Sequence, residues 1–181
     1  FAKISERAYD WVAKNREFFS LLTQFIWGRQ LDHPTYYLTR RFFLIILGVV
    51  YLVAFGSLVS QIEGLIGKEG ILPVQSLLQE VESQLGSKPF WELPTLFWLG
   101  ANDEFLKLIC LIGSALSMLL IFGVFQVPSL VILWIFYLSL FNVGQQFLGF
   151  QWDTLLLETG FLAIFLAPQK WWPRQADPPP S

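Results

Sequence analysis

Apolar residues run almost unbroken through several long stretches of this chain, and charged residues collect between them. Residues 42–62 and 129–148 carry no charge at all, and residues 105–125 carry only Lys107. Each stretch reaches the ~20 apolar residues that a helix needs to cross the hydrocarbon core of a bilayer. A fourth, residues 149–167, is equally apolar apart from Asp153 and Glu158, and Pro168 closes it. The pattern predicts an all-α protein, a polytopic transmembrane bundle of about four spans. Lys107 lies close enough to the end of its span for its ammonium to reach the interface. Gln126, Val127, Pro128 and Ser129 read as a short break, which makes the second and third spans antiparallel neighbours. Small residues one turn apart, Gly56/Ser60 and Gly113/Ser117, would let helices approach closely.

The segments outside the spans are also patterned. In residues 1–27, apolar positions such as Trp11, Phe18, Leu22 and Phe25 recur near helical spacing with basic residues between them. This predicts an amphipathic arm, within a domain of residues 1–41, that lies on the cytoplasmic membrane surface or packs against a further part of the protein. In the loop 63–104, Pro73 stands at a helix start. Val74, Leu77, Leu78, Val81 and Leu85 then share one face up to Gly86, a helix stop. Residues 169–181 end in Asp177, three prolines and Ser181, which reads as a linker within a longer protein.

Charge supplies the orientation. Seven of the twelve Lys and Arg residues, among them Lys3, Arg29, Arg40 and Arg41, precede the first span, and Lys170 and Arg174 follow the fourth. The loop 63–104 carries Lys68 and Lys88 against seven acids. Basic flanks stay on the cytoplasmic side, and an even number of spans puts both ends there. The N-terminus is therefore expected inside, and the loop 63–104 outside. Lys170, Trp171 and Trp172 have the character of interfacial anchors.

Composition narrows the function classes. Of 181 residues, 54% are hydrophobic and only 14% are charged, where a soluble domain would carry about a quarter charged. Mean hydropathy is +0.52. A net charge of −2 provides no basic face for nucleic acid. The lone Cys110 excludes an internal disulfide, and the single His33 has no cluster of metal-ligand spacing around it, so neither a metal nor a cofactor is expected. There is no glycine-rich phosphate loop and no GxSxG.

The chemistry left to explain is polar and lies inside the spans. An acidic residue at a membrane-helix centre costs about 2.5–3.5 kcal/mol on insertion scales. On a helix Gln151, Thr154 and Glu158 fall on one stripe, whereas Asp153 points elsewhere and sits near the outer interface. In the preceding span Asn142, Gln145 and Gln146 form a second stripe. If the chain reverses near Phe150, Asn142 and Glu158 lie at similar depth, and the expectation is a hydrogen bond between them across the hairpin, with Glu158 neutral or paired. Such residues fasten two helices together or, in a functional reading, form a polar site opening outward. Asp153 and Glu158 diverge by about 140° around the helix, which disfavours a general acid–base pair. No catalytic residue is assigned.

The run Gln151-Trp152-Asp153-Thr154-Leu155-Leu156-Leu157-Glu158-Thr159-Gly160-Phe161, continuing to Pro168, resembles the lipase maturation factor family, whose pattern there is close to Q-W-D-x-L-L-L-E-x-G-F. Gly64-Leu65-Ile66-Gly67, Gly70-Ile71-Leu72-Pro73 and Phe97-Trp98-Leu99 ahead of Asp103 resemble further pieces of it, in order. The resemblance covers residues 41–168. It implies a non-enzymatic protein of the endoplasmic reticulum membrane, or of a bacterial inner membrane, that assists folding and assembly of secreted lipases. It also implies further membrane helices and a C-terminal domain as partners of this part. Through a distant similarity of the family to the vitamin K-dependent gamma-carboxylase, it leaves a membrane enzyme as the alternative. A bare membrane anchor for another domain is the third possibility.

Overall fold

The computed structural model describes residues 36–85 and 89–168. The amphipathic arm, His33, the helix stop at Gly86, Lys88 and the proline-rich linker lie outside the described residues. The described residues from Tyr37 onward form one compact unit. Its elements are α1 (Tyr37–Ile66), α2 (Val74–Leu85), the single turn α3 (Pro89–Glu92), a 3-10 turn (Leu96–Trp98), α4 (Asp103–Phe122), α5 (Gln126–Val143), a second 3-10 turn (Gln145–Phe147) and α6 (Gln151–Leu166). No strand occurs among the described residues.

Three helical stretches, Leu38–Ile66, Asp103–Phe122 and Gln126–Val143, are long and apolar enough to cross a membrane. α1 and α5 have no polar side, as expected of helices that face protein on one flank and lipid on the other. Phe42, Ile46, Val53, Leu111, Phe122 and Phe165 are exposed on the outer surface of the bundle. So much exposed apolar surface suits faces that meet acyl chains or other membrane helices, not water. The fold is a helical membrane bundle. α6 stands where the fourth span is expected but has 16 residues, about 24 Å of helix, somewhat short of the ~30 Å core.

Successive long helices run antiparallel. α1 packs along α4, α4 against α5, and α5 against α6, while α6 also touches α1. The α1–α4 seam is tight because Gly113 meets the Phe55 ring with no Cβ in the way. Ser117 is buried on the same face and donates to the Gly113 carbonyl at 2.7 Å. The other small-residue pair is not used this way. Gly56 and Ser60 are exposed, and nothing lies within 4 Å of where a Gly56 Cβ would stand.

The break between the second and third spans also lies earlier than the proline suggests. α4 ends at Gly123, whose φ of 80° is left-handed, and α5 starts at Gln126. Pro128 falls in the first turn of α5, where its missing N–H leaves no hydrogen bond unmade.

The loop between α1 and α4 is folded over one end of the bundle. Backbone bonds from Ile71 N to the Gly64 carbonyl and from Leu72 N to the Leu65 carbonyl reverse the chain after α1. As the sequence pattern predicts, α2 starts after Pro73 and buries Val74 and Leu78. Asp103, at the start of α4, accepts from Lys68 N at 2.8 Å, and Lys107 pairs with Glu63 across the α1–α4 seam. Phe97 is buried edge-on against Phe105.

Candidate functional site

The polar groups of the bundle concentrate where α5 and α6 meet, near the end covered by the loop. Phe150, in extended conformation, caps α6. Asp153 stands three residues later, where an acidic side chain faces the positive end of the helix dipole. One of its oxygens accepts from Phe150 N at 3.2 Å, half of a capping box, since Phe150 has no side-chain acceptor to complete it. The other accepts from the Tyr137 hydroxyl of α5 at 2.5 Å, and Asp153 is only 6% exposed.

Tyr137 is held by rings from α1. Tyr51 and Phe55 each meet it edge-on, with centroids 6.0 and 5.8 Å away. Tyr51 itself reaches the Leu156 carbonyl at 3.5 Å and lies against Gly160, whose lack of a side chain makes room for the phenol. One turn deeper, the Trp134 indole donates to the Leu157 carbonyl at 3.0 Å. Acceptors on α6 thus satisfy the hydroxyl and indole donors of α1 and α5, in a medium that offers no water to do so.

The sequence-derived stripes are divided differently from the expectation. Asn142 donates to the Pro94 carbonyl at 2.8 Å, and Gln145 to the Leu72 carbonyl at 3.4 Å. Ser139, one turn below Asn142, donates to Ile135, accepts from Leu96 N, and offers its own carbonyl to the Thr95 hydroxyl. Asn142 and Gln145 therefore tie the loop to the end of α5. Gln146, Gln151, Thr154 and Glu158 are exposed.

The expected Asn142–Glu158 hydrogen bond is absent, for a reason of register. With Tyr137 opposite Asp153, Asn142 lies five residues toward the loop end and Glu158 five residues away from it, a separation of about 15 Å along the axes. The chain reverses through residues 144–150 rather than at a point, and that offset is what the equal-distance expectation missed. Tyr137, Tyr51 and Trp134 escaped notice because they count as apolar within a span. The available signal was that a phenol or indole deep in a membrane helix needs a polar partner.

A groove of about 590 Å³ lies between α1, the end of α5 and the start of α6. Val49, Val53, Leu148 and Leu156 make it mainly apolar; Ser57, Gln61 and the Tyr137–Asp153 pair are its polar lining. Among the described residues no group of His, Cys, Asp and Glu could hold a metal ion. Cys110 is buried as a free thiol within α4.

The family model for the lipase maturation factor transmembrane domain matches residues 38–181. Lipase maturation factor 2 of Xenopus tropicalis is 49% identical over 142 residues, covering 72% of this chain and 19% of that protein. The Homo sapiens lipase maturation factor 2 is 44% identical over 138 residues, again 72% of this chain and 19% of the relative. Lipase maturation factor 1 of Bos taurus is 39% identical over 147 residues, 77% of this chain and 26% of the relative. The chain thus spans about a fifth to a quarter of the length of these relatives. No solved structure matches it. A helical membrane bundle with its loop tied to α5, matched by this family model over most of its length, belongs to the lipase maturation factor family.

Proposed function

We propose that this bundle is the membrane part of a non-enzymatic maturation factor that assists folding or assembly of secreted proteins, with lipases as the client class. The N-terminus is cytoplasmic, and the loop 63–104 faces the lumen of the endoplasmic reticulum or the outside of a bacterial inner membrane. The observation that carries this reading is how the polar groups are used. Asn142, Ser139 and Gln145 clamp the loop onto the bundle, and both Asp153 oxygens accept hydrogen bonds that fasten α6. Such an arrangement supports a rigid platform on the outer side. Family membership and the names of the relatives support the client class.

The test is complementation. Cells lacking their own maturation factor, given the complete polypeptide that the gene encodes, should secrete lipase of restored activity per unit of lipase protein. Unchanged specific activity, with the protein present in the membrane, rejects the role. Orientation is tested separately by Ser83→Cys in a Cys110→Ala background. Ser83 is exposed on α2, and a membrane-impermeant maleimide should reach it only from the non-cytoplasmic side.

One observation favours the enzyme as a second reading. Asp153 and Tyr137 form a hydrogen-bonded titratable pair lining a groove of ligand size. An enzyme using that pair would lose turnover in Tyr137→Phe while its folded amount held steady. The scaffold loses function only as folded protein is lost.

A further inference from the structure

Glu158 is the acidic residue that the hairpin leaves unexplained. Around α6, Leu156, Gly160 and Ala163 are buried and mark the side that faces the bundle. At 100° per residue Glu158 points about 160° away from Leu156, among Phe161, Leu162 and Phe165. All four are exposed, Leu162 to 65% and Phe165 to 75%. Depth is set by Tyr51, which touches Leu156 and Gly160 on either side of Glu158 and lies midway along the uncharged run of α1. Glu158 therefore projects outward at about the middle of the bilayer. Among the described residues its carboxyl group has no hydrogen-bond partner. Acidic side chains at this depth ordinarily face a bundle interior or a partner, because hydrocarbon cannot solvate them.

We infer that the outward face of α6 is an interhelical contact, occupied by a further membrane helix of the same polypeptide that brings a hydrogen-bond donor to Glu158. A second copy fits poorly. Two copies inserted in the same direction around a two-fold axis would set Glu158 against Glu158 at one depth. The other polar groups of this face, Thr154 and Gln151, lie about 6 and 10 Å higher along the axis. A transient client fits no better, since the carboxyl would stand in lipid whenever the client was absent. The relatives, of which the match covers about a fifth, have ample chain for a resident helix. The inference requires only that the bundle sits in a bilayer, and it is independent of which clients the protein serves.

The experiment uses the complete polypeptide that the gene encodes, in native membranes, with Leu162 replaced by the photocrosslinker p-benzoylphenylalanine. Irradiation followed by peptide mass spectrometry should give an intramolecular adduct to a hydrophobic segment outside residues 1–181. Adducts only to lipid, to residues 1–35, to a second copy or to another protein overturn the inference, as does the absence of any adduct. In parallel, Glu158→Leu should lower the folding equilibrium by about three- to twentyfold, with Glu158→Gln losing less. A lipid-facing Glu158 has the opposite sign, because Glu158→Leu would then stabilise the protein. Where Glu158→Leu fails to accumulate at all, the crosslink alone decides.

Discussion

The Tyr137–Asp153 contact is the most exposed to disproof, because its strength can be isolated. Asp153→Ala removes two hydrogen bonds at once, one to the Tyr137 hydroxyl and one to Phe150 N. The first leaves a phenol packed under Tyr51 and Phe55 with no acceptor, and an orphaned buried donor costs about 1–3 kcal/mol. The second is an end-of-helix bond worth about 1 kcal/mol. Interhelical hydrogen bonds in membranes average about 0.6 kcal/mol and reach about 1.7, because the unfolded chain in lipid also finds partners. The lower scale governs here, so Tyr137→Phe should cost about 0.6–1.7 kcal/mol, and Asp153→Ala, which also loses the helix-end bond, about 1.6–2.7 kcal/mol.

The double-mutant cycle removes the helix-end contribution and should leave a coupling of about 1–1.5 kcal/mol. Equilibrium unfolding in mixed micelles, followed by tryptophan fluorescence, measures all four corners. A coupling below about 0.3 kcal/mol would mean that the two side chains do not share a hydrogen bond in the folded protein. The fastening of α6 to α5 would then have to come from packing and the Trp134 indole alone.

Three further outcomes follow from the packing. Gly160→Ala places a methyl against the Tyr51 phenol and should destabilise by about 1–3 kcal/mol; Gly160→Ala combined with Tyr51→Phe should recover part of that loss in the same unfolding assay. Asn142→Ala frees the Pro94 carbonyl, so limited proteolysis should cut the loop near residues 89–98 faster while the bundle's unfolding midpoint moves little; an unchanged cleavage rate contradicts the clamp. The Lys107–Glu63 pair is 44% exposed on each side, and Lys107→Met should change stability by no more than about 1 kcal/mol, read as a small shift of the same midpoint.

Much of this protein was legible along the chain. An 18–30-residue helix in lipid has to be apolar nearly throughout, so α1, α4 and α5 stand out by composition alone, and Pro73 with the one-sided pattern after it locates α2. The Q-W-D…E segment pointed to the family that the comparisons then identified. Boundaries shifted by a few residues, as at Pro128, because a proline is tolerated inside a first helical turn as readily as before it.

Side-chain partners were beyond the reach of pattern. Asn142 and Glu158 looked level because both were counted from one assumed turning point, while the true register depends on how residues 144–150 fold and on Tyr137 docking onto Asp153. The tertiary structure alone decided that Asn142 and Gln145 hold the loop, that Gly113 makes a close contact while Gly56 does not, and that Glu158 looks out of the bundle. Helix formation in lipid answers to local backbone satisfaction, which a linear sequence displays. Pairing between helices answers to distances set by chain reversals and ring packing, which it does not.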